Sequence, residues 1–524
     1  MLLVASVLVV LSREDGESPD VAGGGPFRLA PAWDVEVNGL PVAYHSDTGT
    51  VLLWASDPEL EPQGPHFLSA RDVRTGELKW RSGPEGWDVS IDYLRGGKLS
   101  TSAVIVQSNP NRGAPGIAAL RVTDGAVLWQ VETPGQFSRP TAVAADALAV
   151  VWNDTTVRGM SASDGRTLWQ SAAPAGCTAD EVAADGDLAA IEYVCGDRRH
   201  VHLVGATTGQ VLWQRDVWNL GEVTSDNLRV QGDAVLIRNA ERLQVLNRSG
   251  AVLFEQTSRD IGDVRFVADA NLAVVSHRDQ AKHDLLTAVD LNSGAVRWQQ
   301  PLAVASLVRS RTAVYALSRL EPLLPIGLAA IVPANGRHSV AMTHLIGADY
   351  DSLVALDDGF VVTYFWVGRQ AHLAGHRMQP QTAPMGAAGG APDEEWPDGC
   401  SVLDPAELTV AVTTVTYTAR RDDGHVSCQY RPSSVSAPVI TAGVAWVGVD
   451  TEQSVQLMDR LTRSREATAL PGIGDQALEV IEEGENERKV QVYFRVGRRI
   501  GLVSLPDDTE RARALARSGA ARLG

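Results

Sequence analysis

Lysine is almost missing from this chain: of 46 basic residues only Lys79, Lys98, Lys282 and Lys489 are lysines, leaving 42 arginines. That skew reflects GC-rich coding rather than a chemistry. Basic residues are also outnumbered by 64 acidic ones, for a net charge of −18. A phosphate backbone is held by clustered Lys and Arg, so nucleic acid is not an expected partner. No apolar run is long enough to span a bilayer, which takes roughly 20 residues. The nearest approach, MLLVASVLVVLS at the N-terminus, has twelve. It has no basic segment before it and no small-residue cleavage site after it. Residues 1–25 are therefore expected to be a signal or anchor segment, incomplete in this chain, followed by the tether REDGESPDVAGGGP. A buried or frayed N-terminal strand is the other reading.

Cysteine is sparse as well, with four residues, none in a C-x-x-C pair and none adjacent to another. Zinc and thioredoxin-like chemistry lack their spacing. Cys177 and Cys195 flank two apolar-rich runs whose midpoint is the turn Asp185-Gly186. A hairpin would place the two thiols opposite each other, so a cross-strand disulfide is expected. Such a bond points to a compartment outside the cytoplasm. Also missing are a G-x-S-x-G elbow, an H-E-x-x-H helix and a P-loop lysine near Gly472 and Gly474, which read as turn residues.

What the chain does have is a ladder of glycine followed four residues later by an aromatic. VRTGELKW ends at Trp80, VTDGAVLW at Trp129, ASDGRTLW at Trp169 and ATTGQVLW at Trp213. NRSGAVLF puts Phe254 in the slot, LNSGAVRW puts Trp298, and PANGRHSV a degenerate Val340. The glycines Gly76, Gly125, Gly165, Gly209, Gly250, Gly294 and Gly336 are spaced by 49, 40, 44, 41, 44 and 42 residues. That period belongs to propellers and solenoids, and the β-rich runs between the glycines favour four short strands per unit. Each glycine is expected at φ > 0 in the last hairpin of its unit. Each aromatic is expected to pack over the next repeat, with its indole N–H given to a backbone carbonyl there.

At the two ends the units are incomplete. LAPAWDVEV places Trp33 in an outer strand with no strands before it, and residues 351–378 supply inner strands with no G-x-x-x-W after them. The halves complete one another, which predicts an all-β, eight-bladed propeller over residues 26–378 closed by the N-terminal strand. Seven blades is the alternative.

ARDVRTGELKW and AVDLNSGAVRW are similar to the A-x-D-x-x-T-G-x-x-x-W docking repeat of propellers related to pyrroloquinoline-quinone (PQQ) enzymes. The first matches at Ala70, Asp72, Thr75, Gly76 and Trp80, and the second at Ala288, Asp290, Gly294 and Trp298, with Ser293 for Thr. The resemblance implies either quinoprotein dehydrogenase activity or a non-enzymatic role like that of the lipoprotein in outer-membrane β-barrel assembly. A dehydrogenase would need a Ca²⁺ site, a carboxylate base and packing on both faces of the quinone, one face commonly covered by a ring of two adjacent cysteines. No such cysteine pair and no calcium-binding set is legible, so no cofactor and no catalytic residue is expected.

A Pro/Gly/Ala-rich linker at 379–395 leads to a predicted α+β domain over 396–524. Asp404, Pro405 and Glu407 read as a helix start, and DDTERARALARSGAARL as a closing helix. Strands are expected in HVSCQYRP, GVAWVGVD, KVQVYFRVG and RIGLVSLP, with a disulfide between Cys400 and Cys428. This part resembles a domain on lipoproteins of high-GC Gram-positive bacteria.

The histidine pairs His200/His202 and His372/His376 offer two ligands each, too few for zinc, and read as hydrogen-bonded strand residues. Asp357 and Asp358 read as a turn, and the N-x-S/T triplets at Asn153 and Asn247 as chance occurrences. The function expected is a monomeric, non-catalytic extracytoplasmic scaffold that binds an envelope protein and is tethered through its N-terminus. A propeller that holds or senses a small ligand is the alternative.

Overall fold

The computed structural model describes residues 27–56, 65–90, 103–108, 115–133, 141–143, 147–217, 228–238, 242–257, 261–267, 271–278, 284–302, 304–309, 313–319, 326–342, 352–357, 359–367, 370–380, 390–408, 416–421, 427–434, 437–464, 467–483 and 488–524. The expected signal segment 1–25 and Asp358 lie outside these. Eight four-stranded antiparallel sheets follow one another along the chain. Blades 1 to 7 occupy residues 39–82, 89–132, 141–172, 178–217, 228–257, 261–301 and 304–342.

Blade 8 has three strands from the far end, Ser352–Asp357, Phe360–Val367 and Gln370–Pro380, and its fourth and outermost is Phe27–Val37. Trp33 pairs with Gly375 and Phe27 with Pro380 across that junction. The eight-blade reading with an N-terminal closing strand therefore holds. First strands of neighbouring blades adjoin, among them Ser352–Asp357 of blade 8 with Gly39–His45 of blade 1, so the sheets form a shut ring.

The middle strands are buried on both faces because each blade lies between two others. Ala103–Ser108 has no exposed residue, and Leu188–Cys195 has only two half-buried ones. Outer strands such as Val127–Glu132 instead keep one buried position, Trp129, among exposed ones. Apolar cores accordingly sit between blades. One joins Leu52, Leu68 and Trp80 of blade 1 to Val104, Ala118 and Leu120 of blade 2.

A ninth sheet has seven antiparallel strands, in the order Tyr417–Arg421, Ser427–Pro432, Ile440–Val447, Arg499–Pro506, Arg488–Val496, Gln476–Glu483 and Ala467–Ala469. The closing helix Thr509–Leu523 is capped by Asp508, whose carboxylate accepts from the Arg511 N–H. A second helix, Thr451–Ser464, had no counterpart among the sequence expectations. The expected helix at Asp404–Glu407 is a short 3₁₀ turn, Pro405–Leu408. Asp404 caps it by accepting from the Ala406 N–H at 2.9 Å. Glu407 turns away from the cap to Ser518 and Arg522. At the expected linker, strand Gln370–Pro380 runs two residues past 378, and Ala391 is buried in the C-terminal core.

Both expected disulfides are present. Cys177–Cys195 spans the hairpin turning at Asp185–Leu188, and Cys400–Cys428 ties the start of the C-terminal domain to its second strand. No helix among the described residues is long and apolar enough to cross a membrane.

Candidate functional site

The repeat positions converge on the seams between blades. In blade 1 the Asp72 carboxylate accepts from the N–H groups of Arg74 at 2.9 Å and Thr75 at 3.1 Å, and the Gly76 N–H returns to the Asp72 carbonyl at 2.9 Å. Burial works against its charge, but the Arg74 N–H, Lys79 and the Thr75 N–H hold the carboxyl below its ordinary value. Asp290 repeats this in blade 6, with Arg297 on its second oxygen, and its carboxyl lies far below the usual range because of Arg297 and then Ser293. The aspartate fixes a tight loop, and the loop presents its glycine at positive φ: +73° at Gly76 and Gly125, +70° at Gly165, +67° at Gly209.

Each of those glycines faces the aromatic of the preceding blade. A Cβ at Gly76 would stand 2.7 Å from the Trp33 ring, at Gly125 2.6 Å from Trp80, at Gly165 2.7 Å from Trp129, and at Gly336 2.7 Å from Trp298. Gly209 meets Trp169 at 2.7 Å. The glycine thus serves twice, for its φ and for its missing side chain. The indole N–H groups cross the seam as well. Trp33 donates to the Val73 carbonyl at 3.2 Å, Trp80 to Val122 at 2.8 Å, Trp129 to Ala162 at 2.9 Å, Trp169 to Ala206 at 2.7 Å, and Trp298 to Pro333 at 2.6 Å.

Room for the ring comes from its cross-strand partner. Opposite Trp33, Trp80, Trp129, Trp169 and Trp298 stand Gly375, Ala70, Ala119, Gly159 and Ala288. This small residue explains the leading alanine of the repeat, a role that spacing alone did not reveal. Opposite Trp213 and Phe254 stand the larger Leu203 and Val245. The Trp213 Nε1 is buried without an acceptor, and Gly294 faces the Leu253 carbonyl rather than the Phe254 ring.

His200 and His372 each meet an aspartate on the adjacent strand of the same sheet. His200 Nδ1 lies 2.5 Å from Asp216, and His372 Nδ1 2.9 Å from Asp34. His202 stands edge-on to Tyr193, and burial, with His200 adding to it, lowers its pKa. His376 is buried on the same strand as His372. Among the described residues no three His, Cys, Asp or Glu side chains are grouped as a metal site. The Asn153 and Asn247 side chains accept from N–H and hydroxyl groups two residues on, so both triplets form local turns. Gly472 and Gly474 also lie in a turn, at φ +78° and +56°, and Gly359 turns between Asp357 and Phe360 at +73°.

Two polar clusters were not foreseen. Arg199 pairs with Asp180 at 2.7 Å and with the fully buried Glu192. Asp88, also buried, accepts from the His66 N–H at 2.6 Å and meets its ring nitrogen at 2.8 Å, while Trp54 stacks on that ring. Their members come from separate strands and loops, so no local motif announces them.

Residues 67–300 match the model of a family described as "Outer membrane protein assembly factor BamB". No curated protein matches the chain in sequence. Among solved structures, BamB from Moraxella catarrhalis is 14% identical, with a TM-score of 0.41, covering 67% of this chain and 99% of its own. Quinohemoprotein alcohol dehydrogenase from Comamonas testosteroni is 13% identical, with a TM-score of 0.42, covering 72% of this chain and 80% of its own. A second quinohemoprotein alcohol dehydrogenase, from Pseudomonas putida HK5, is 12% identical, with a TM-score of 0.41, covering 71% of this chain and 80% of its own. The repeat-bearing part of the chain is thus similar to the BamB family in sequence, over somewhat less than half its length.

Proposed function

We propose that the chain is a non-catalytic protein-binding scaffold of the cell envelope, working outside the cytoplasm and tethered through its N-terminus. The observation that carries this reading is the match of residues 67–300 to the BamB family model. In it the tryptophans serve as inter-blade docking residues, their rings and, at Trp33, Trp80, Trp129, Trp169 and Trp298, their N–H groups being taken up within the ring itself. What faces outward is different. Leu78, Val127, Leu168, Val211, Val252 and Val296, on the outermost strands of six blades, are each at least 36% exposed. An outer strand has one unpaired edge, and exposed aliphatics along it suit an extended segment of a partner protein added as a fifth strand. Two disulfides support an oxidising compartment. The C-terminal domain, with its lipoprotein-like motifs, would offer a second contact surface.

The test is site-specific photocrosslinking from positions 211 and 296 in native envelopes. The scaffold reading expects one discrete adduct that disappears when the neighbouring exposed aliphatic, Leu212 or Val252, is changed to Asp. Absence of any discrete adduct, or adducts indifferent to those changes, would overturn it.

A further inference from the structure

The seam between blades 4 and 5 departs from the rule in its hairpin, its indole bond and the residue opposite its tryptophan. In blades 1, 2, 3, 4, 6 and 7 the turn glycine N–H reaches a carbonyl four residues back: Asp72, Arg121, Ser161, Gly205, Asp290 and Val332. In blade 5 the Gly250 N–H reaches only three back, to Asn247 at 2.9 Å. The hairpin is one residue shorter. Where the indole bond forms, its acceptor is always the residue three before the glycine. In blade 5 that residue is Asn247, whose carbonyl already closes the hairpin. The deletion therefore removes the acceptor and leaves the Trp213 N–H buried without one. Leu203 stands opposite the ring, and a Cβ at Gly250 would lie 3.1 Å from it, against 2.6–2.7 Å at the other glycine–tryptophan seams.

A buried apolar core joining Leu188 and Leu203 to Val235, Ile237 and Leu246 also crosses this seam, and the polar contacts across it lie at its solvent-facing rim. Arg248, in the shortened hairpin, grips both oxygens of Asp187 in blade 4 at 3.1 and 2.6 Å and also reaches Asp233 at 3.1 Å. The Gly232 N–H donates to Asp185, and Arg215 donates to the Gly250 carbonyl at 3.2 Å. The Arg248, Asp187 and Asp233 side chains are 46%, 65% and 74% exposed. Exposed pairs contribute little and fade as salt shortens the screening length to about 3 Å at 1 M. The following seam has Phe254, with no N–H to give. We infer that the blade 4–blade 5 seam is an ionic latch, held among its polar contacts by exposed charge pairs, and that salt loosens it.

Hydrogen exchange on the intact chain at low salt and at 1 M NaCl tests this. Exchange over residues 206–217 and 228–257 should rise several-fold with salt, while 118–132 and 157–172, at the seam between blades 2 and 3, should not change. Arg248→Ala should reproduce the high-salt pattern at low salt. Leu203→Ala combined with one residue inserted between Arg248 and Ser249 should abolish it, which separates a missing acceptor from general instability. An equal response at both seams, or an Arg248→Ala protein still protected over 228–257, would overturn the inference.

Discussion

The propeller and the C-terminal domain solve the same packing problem in opposite ways. In the propeller the apolar core is divided among separate clusters, mostly between neighbouring blades. In the C-terminal domain one cluster runs from Ala391 to Leu523 and takes in both helices and the sheet. A divided core makes each seam a local matter, so a defect such as the one at Trp213 is tolerated by its neighbours. An undivided core has no such compartments, and damage there is shared. Repeats gain tolerance, and single domains gain cooperativity.

Trp298→Ala should sharpen the contrast most. It empties a seam slot whose ring is 7% exposed, at a cost of roughly 3–5 kcal/mol. Denaturant titration should show the propeller transition moving while the C-terminal one stays. Removing Cys400–Cys428, which closes a loop of separation 28, should cost about 3–4 kcal/mol. That loss should fall on the C-terminal transition, whereas the Cys177→Ala/Cys195→Ala pair should act on the propeller alone. If either change shifts both transitions equally, the division of cores is wrong.

A smaller effect separates the two duties of glycine. Gly125→Ala puts a methyl 2.6 Å from Trp80 at φ +73°, which should cost about 2–4 kcal/mol. Gly186→Ala, at φ +58° with open space around it, should cost only about 1–2 kcal/mol. Equal melting temperatures for the two would remove the steric half of the argument.

The smallest expected effect is a pH dependence in the C-terminal domain. Tyr430 donates to the carbonyls of Cys400 and Leu403, and burial pushes its pKa from 10.0 to about 12. A group raised in the folded state contributes fully below its unfolded value. That contribution is lost as pH climbs from 10 through about 12. Tyr430→Phe should flatten this alkaline slope, measured from pH 9 to 12, and cost about 0.5–1.5 kcal/mol at neutral pH.

Much of the ring was legible because its parts repeat. Six G-x-x-x-aromatic slots, a degenerate seventh and a split first and last unit sufficed for eight blades, since periodicity averages over local irregularity. The C-terminal domain offers each signal once. Its helix Thr451–Ser464 was missed because VGVDTEQSVQLMDR carries its Asp450 cap inside a strand-rich context, where it resembles a turn. The glycines were read for φ alone. Their second duty, clearance for a neighbour's ring, appears only once blades are set side by side. The His66–Asp88 and Arg199–Glu192 pairs were illegible for the same reason. Each joins separate strands or loops by register, which composition does not record.

The junction of Phe27–Val37 with Gln370–Pro380 sets a timetable for biosynthesis. Everything that the first of these strands will pair with lies more than three hundred residues downstream. At about 5–20 residues per second, a ribosome needs roughly 17–70 s to deliver it. Throughout that interval the nascent chain carries an unmatched edge, open to the wrong partner, and its last sheet remains unfinished. A chaperone that shields residues 27–37 until residues 370–380 emerge would guard a pairing that spans more than three hundred residues.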